Sequence, residues 1–202
     1  MPAYFSLVFY IKKKNLNKNL FKDFVRQLQK NGFVFKGGFM DFADDTLERI
    51  LRINTEKLMD NYEVTPNEIR SNYFRQSCWS FKGFSETRLF VTNFREDDYF
   101  SFHIIVPEEE VFVCSPERVQ FIDSSAASLK SLSLALWKRK YVTAVQACLE
   151  GDDDVFLDDI RNGEMPTVKP FAIVPLSFMP DNRELGFLYT KTRRKGVLIE
   201  RA

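Results

Sequence analysis

The chain has 202 residues, 45% hydrophobic and 28% charged, with 29 Lys and Arg set against 28 Asp and Glu. These fractions are close to globular averages, so a wholly disordered chain is excluded, and the length suits one globular domain (residues 1–202) with its own core. The balanced charge lacks the basic excess of a general nucleic-acid binder, whose affinity comes mostly from phosphate contacts.

Tyr4 to Ile11 is aromatic, β-branched and nearly continuously apolar, which predicts a strand covered on both faces. Lys12, Lys13 and Lys14 follow that run instead of preceding it, the reverse of a secretory signal, and no stretch reaches the ~20 apolar residues of a membrane helix. The expected location is cytoplasmic. Asn15 to Lys30 reads as a helix, with Asn17 as N-cap. Leu20, Phe21, Phe24, Val25 and Leu28 form its apolar stripe, and Asn31-Gly32 is its stop. Phe33 to Phe39 reads as a strand, with Gly37-Gly38 marking a bulge or turn. Asp45 to Met59 reads as a second helix, with Asp45 capping and Glu48 completing a capping box. Thr65-Pro66-Asn67-Glu68 carries a third helix-start signal.

Gln76 to Phe84, Thr87 to Phe94 and Tyr99 to Val106 read as three successive strands, with turns at Ser85-Glu86 and Arg95 to Asp98. Trp79 and Phe81 alternate with Ser80 and Lys82, and Phe100, Phe102 and Ile104 alternate with Ser101 and His103. Period-two alternation of this kind predicts an antiparallel meander with one polar face. Ser115-Pro116-Glu117 suggests a helical turn, Ser124 to Lys138 a longer helix, and Tyr141 to Leu149 a strand. A short helix fits Val155 to Arg161. Pro170 to Phe178, Phe187 to Thr192 and Val197 to Glu200 complete the β content, with Pro170 and Pro175 arguing for an edge or interrupted strand. The predicted fold is α+β: a mainly antiparallel sheet, with room for one parallel pairing, backed by two or three helices.

No motif for chemistry emerges. The one histidine, His103, falls on the polar face of its strand, and neither Cys78 nor Cys114 stands at a spacing that would make it a nucleophile partner. The three cysteines form no CxxC pair, consistent with a reducing compartment. No His and Cys set has zinc spacing, and Asp152 to Asp154 lacks the calcium-loop pattern. Gly37-Gly38 matches no phosphate-binding loop. No catalytic residue, metal or cofactor is therefore assigned. The 21 Phe residues read as core.

Two acidic segments remain, Glu108-Glu109-Glu110 and Asp152-Asp153-Asp154, both beside strand ends. If their loops converge, they make a negative patch able to steer a basic protein. The resulting expectation is a non-catalytic protein-binding module of the bacterial immunity-protein or inhibitor and adaptor type, with another protein as partner and no membrane. An enzyme using carboxylates or a Cys/His pair is the first alternative. A single-stranded nucleic-acid binder, with exposed rings on the meander and Arg193, Arg194 and Lys195 at the rim, is the second.

Overall fold

The computed structural model describes residues 3–63, 74–115, 118–150, 152, 155–179 and 185–202. The helix start predicted at Thr65, Pro116-Glu117, Asp153, Asp154 and the Pro180–Asn182 loop lie outside that range. Among the described residues the fold is α+β, with mainly antiparallel strand pairing and four helices. None of these helices is long and apolar enough to cross a membrane. Contacts divide the chain into two compact units, 11–107 on one side and 1–10 with 108–202 on the other.

In the 11–107 unit, β2 (Val34–Gly38), β3 (Ser77–Phe81), β4 (Phe84–Asn93) and β5 (Tyr99–Pro107) pair antiparallel in chain order. Helix α1 (Leu20–Lys30) buries all five residues of the expected stripe. Phe21 and Phe24 meet Phe102 of β5 at centroid distances of 4.7 and 4.2 Å, and Phe33 stacks on Phe81 at 4.2 Å. Most of the phenylalanines are thus packed as core, each fully buried ring contributing roughly 1.5–3 kcal/mol, while Phe156 is exposed. The α1 helix begins later than predicted because Asn17 forms a turn ahead of it, its Oδ1 accepting from the Asn19 N–H at 3.0 Å.

Helix α2 (Leu47–Met59) is capped by Thr46, whose Oγ1 accepts from the Arg49 N–H at 3.3 Å. Asp45, the predicted cap, instead ion-pairs with Arg49 and Arg75 at 3.1 Å each. The β3–β4 turn falls at Lys82-Gly83, both with positive φ (44° and 86°), and not at Ser85-Glu86. Gly37-Gly38 does mark a bulge, with the register shifting between Phe35 and Gly37. A Cβ at Gly38 would stand 2.0 Å from the Phe42 carbonyl oxygen, so the turn folded over β2 requires glycine there.

In the other unit, the strand order is β10 (Phe187–Thr192), β11 (Gly196–Arg201), β9 (Phe171–Pro175), β8 (Val142–Cys148), then β1 (Tyr4–Lys12), which belongs to this unit through Tyr10. The pairings β10–β11, β11–β9 and β8–β9 are antiparallel, and an isolated bridge between Ala147 and Val168 is parallel. Strand β9 is interior, contrary to the edge expectation. Its prolines are harmless because Pro170 precedes the strand and Pro175 ends it. Strands β6 (Phe112–Ser115) and β7 (Arg118–Phe121) pair antiparallel. Helix α3 (Asp123–Trp137) buries Leu129, Leu132, Leu136 and Trp137 and packs on β8 and β9. A short α4 (Leu157–Arg161) follows, its Asp159 accepting from the Phe156 N–H at 3.0 Å.

Candidate functional site

The β4–β5 register sets His103 opposite Phe90 and Ser101 opposite Thr92. The Phe90 ring stacks on the imidazole, with centroids 4.5 Å apart and planes 12° from parallel. His103 Nε2 lies 2.9 Å from both Thr92 Oγ1 and Ser101 Oγ, and those two hydroxyl oxygens are 2.6 Å apart. The polar face predicted for the meander is therefore a buried, hydrogen-bonded triangle, with Thr92 and Ser101 almost wholly enclosed. Desolvation pushes the His103 pKa down from 6.5 to about 3. The ring is neutral near pH 7 and, with so low a proton affinity, a poor general base for either hydroxyl.

Cys78 pairs with Arg88 while His103 pairs with Phe90, so β4 separates the two and no thiol–imidazole contact forms. Burial, and secondarily the Glu86 carboxylate, push the Cys78 thiol pKa up, against the pull of Arg88. A raised thiol pKa disfavours the nucleophilic thiolate. Cys78 and Cys148 stand outside any disulfide. Among the described residues, no three His, Cys, Asp or Glu side chains group as metal ligands.

Glu108 of the first acidic segment meets Glu150, which precedes the second, and of Asp152-Asp153-Asp154 only Asp152 lies within the described residues. Glu108 to Glu110 form a single 3₁₀ turn at the end of β5, and Glu150 follows β8. The Glu150 N–H donates to Glu108 Oε1 at 2.6 Å, and Glu150 Oε2 accepts from the Tyr4 N–H at 2.9 Å. Asp152 Oδ2 accepts from the Leu149 N–H at 2.7 Å, and its Oδ1 is ion-paired with Lys169. Burial first, and then the charges of Glu150, Asp152 and Glu109, raise the Glu108 pKa, against the lowering effect of the Glu150 N–H. The patch thus gathers Glu108, Glu109, Glu150 and Asp152, with Glu110 on the same turn. Glu109 and Glu150 are its exposed members. Glu150 was not among the expected residues. Its signal was its place just ahead of the aspartates, and its role as the pin appears only in three dimensions.

The basic clusters do structural work that their sequence does not disclose. The Lys13 ammonium donates to Asn61 Oδ1 at 2.8 Å, to the Phe94 carbonyl at 2.7 Å and to the Arg95 carbonyl at 3.1 Å. It ties the end of β4 to Asn61, which holds a left-handed φ of 50°. Desolvation lowers the Lys13 pKa, opposed by Asp97, Glu96, Asp98 and Glu63. Arg194 closes the C-terminus of α3. Its guanidinium donates to the carbonyls of Trp137, Arg139 (2.5 Å), Lys140 (3.2 Å) and Val142 (3.3 Å), while the Trp137 indole N–H donates to the Arg193 carbonyl at 2.8 Å. Helix-end carbonyls need such donors. Arg194 is therefore already engaged, and the meander rings Phe81, Phe84, Phe90, Tyr99, Phe100 and Phe102, which base stacking would need on the surface, are buried.

No protein-family model matches this chain, and no curated protein matches it.

Proposed function

We propose that the protein is a non-catalytic binding module that presents the carboxylates around Glu108 and Glu150 to a basic surface of another protein, in the manner of a cytoplasmic inhibitor or immunity protein. The observation that carries the reading is the 2.6 Å bond from the Glu150 N–H to Glu108 Oε1, which joins two acidic residues 42 positions apart in sequence. Gathering like charges is unfavourable by itself, and the raised Glu108 pKa, caused first by burial, carries a smaller contribution from Glu150, Asp152 and Glu109. A cationic partner relieves that repulsion, steers encounter and gains specificity from the same charges. The neutral, poorly basic His103 and the raised Cys78 pKa weigh against the enzyme alternative.

The test is affinity capture from the protein's own cells at low ionic strength, run in parallel with wild type and Glu109→Lys. Glu109 is exposed, so its reversal changes the patch without entering the core. A stoichiometric basic partner, released by salt and retained much less by the variant, supports the reading. Equal retention by both proteins contradicts it.

A further inference from the structure

The turn between β10 and β11 is Arg193-Arg194-Lys195, and it lies against Lys138-Arg139-Lys140 at the end of α3. The Arg194 guanidinium donates to the Arg139 and Lys140 carbonyls at 2.5 and 3.2 Å, and the Trp137 indole N–H donates to the Arg193 carbonyl at 2.8 Å. Two basic triplets 55 residues apart in sequence are thereby locked into one surface, within one compact unit. Arg194 and Lys195 hold left-handed φ angles of 61° and 54°, a conformation that hairpin turns usually give to Gly or Asn. The turn thus carries cations where its backbone favours smaller residues.

Lys138, Lys140, Arg193 and Lys195 are all exposed, as is Lys191 on the strand leading into the turn. Among the described residues none of them forms an ion pair, whereas Lys130 pairs with Glu200 and Lys169 with Asp152 in the same unit. Desolvation lowers the Arg194 pKa with no described carboxylate opposing it, while at Lys13 four carboxylates oppose the same effect. Positive charge gathered in this way attracts a polyanion. The two loops expose no large apolar side chain: Trp137 and Val142 are buried and Tyr141 is half-buried. A protein interface draws its core from aromatic and aliphatic groups and is poor in Lys. A single nucleic-acid strand stacks its bases on exposed rings, and a membrane surface takes up apolar side chains. Phosphates along a duplex ask for cations alone. We infer that the 138–140 and 193–195 loops together form a docking surface for the phosphate backbone of duplex nucleic acid, held without reading its sequence. Lys138, Lys140, Arg193 and Lys195 would meet phosphates, and Arg194 fixes the two loops in register. The inference is independent of the acidic patch, since it concerns different residues and the opposite charge.

A fluorescently labelled DNA duplex of mixed sequence serves as the probe, with polarisation as the readout. Saturable binding at low salt is expected, equal for a second duplex of unrelated sequence. If each of the named cations neutralises one phosphate, log affinity should fall against log salt with a slope of about −3 to −4. Lys138→Gln and Lys195→Gln, one from each loop, should each make that slope shallower by about one and weaken binding at low salt by about fivefold. Both side chains are exposed, so the melting temperature should not change. If Lys195→Gln does lower it, Arg193→Gln replaces that variant. Glu109→Lys should bind the duplex no less tightly than wild type. The inference is overturned by absence of saturable binding at low salt, by a variant of one loop that weakens binding while the other does not, or by a salt slope that both variants leave unchanged. Tighter binding to the single strand, to polyglutamate or to phosphatidylserine vesicles than to the duplex overturns it as well.

Discussion

His103 makes the stability of this protein depend on pH in a predictable direction. Its pKa is about 3 in the folded chain and 6.5 in the unfolded reference. Above pH 6.5 the ring is neutral in both states and the fold bears no penalty. As pH falls below 6.5 the unfolded chain takes up a proton that the folded ring refuses, so stability declines until pH reaches the folded value. At 1.36 kcal/mol per unit, the gap corresponds to about 5 kcal/mol at most, and at pH 5 to about 2 kcal/mol. Residual exposure of the ring makes these upper figures. Because the chain has a single histidine, its imidazole carbon-bound protons give an unambiguous NMR titration. The assay pairs that titration with urea unfolding at pH 7.5 and pH 5 for wild type and His103→Gln. Carboxylate effects, including the opposite trend expected from the raised Glu108 pKa, are common to both proteins and drop out of the difference. Wild type should lose about 2 kcal/mol more than the variant between those pH values. An imidazole titrating near 6.5, or parallel losses in the two proteins, would refute the claim that the Thr92–Ser101–His103 triangle is a desolvated structural element.

Arg194→Ala should destabilise by about 2–3 kcal/mol in urea unfolding, because it strips charged donors from the carbonyls at the end of α3, and Arg194→Lys should restore little, since an ammonium cannot reproduce the forked geometry. Gly196→Ala should cost about 1–3 kcal/mol or more, its Cβ lying 2.6 Å from the Trp137 ring, with a blue-shifted or broadened tryptophan emission as a second readout. Lys13→Met leaves the Phe94 and Arg95 carbonyls without the ammonium they share. It should cost about 1–3 kcal/mol and speed amide exchange at the end of β4, whereas Lys14→Met should change neither.

The elements of this fold were legible wherever a segment's own pattern determines its structure. The stripe of α1 and the leucines of α3 each follow from burial of one face, and the structure has both, whereas β5 alternates in sequence but is buried on both faces. Boundaries failed where two residues competed for one local role. Thr46 and Asp45 could both cap α2, and a partner far along the chain, Arg75, drew Asp45 away. Lys82-Gly83 and Ser85-Glu86 could both turn the chain. The first prevailed because glycine accepts the left-handed conformation that a tight hairpin needs. The acidic site was half legible: the carboxylates stand out in the sequence, but the meeting of Glu108 with Glu150 depends on a contact 42 residues apart, which no local pattern encodes. The cap on α3 was illegible for the same reason. Lys138, Arg139 and Lys140 stand at the helix end, yet the donor that satisfies its carbonyls comes from Arg194, more than 50 residues away.

The central claim is that the patch around Glu108 and Glu150 is the binding surface, and a partner affinity measured against salt for three proteins tests it most directly. Wild type should bind a basic partner with an affinity that falls steeply as ionic strength rises. Glu109→Lys should bind about tenfold or more weakly at low salt, with a shallower salt dependence, while Lys191→Glu should match wild type. An affinity indifferent to both salt and Glu109→Lys would contradict the account and leave the patch a solvated surface.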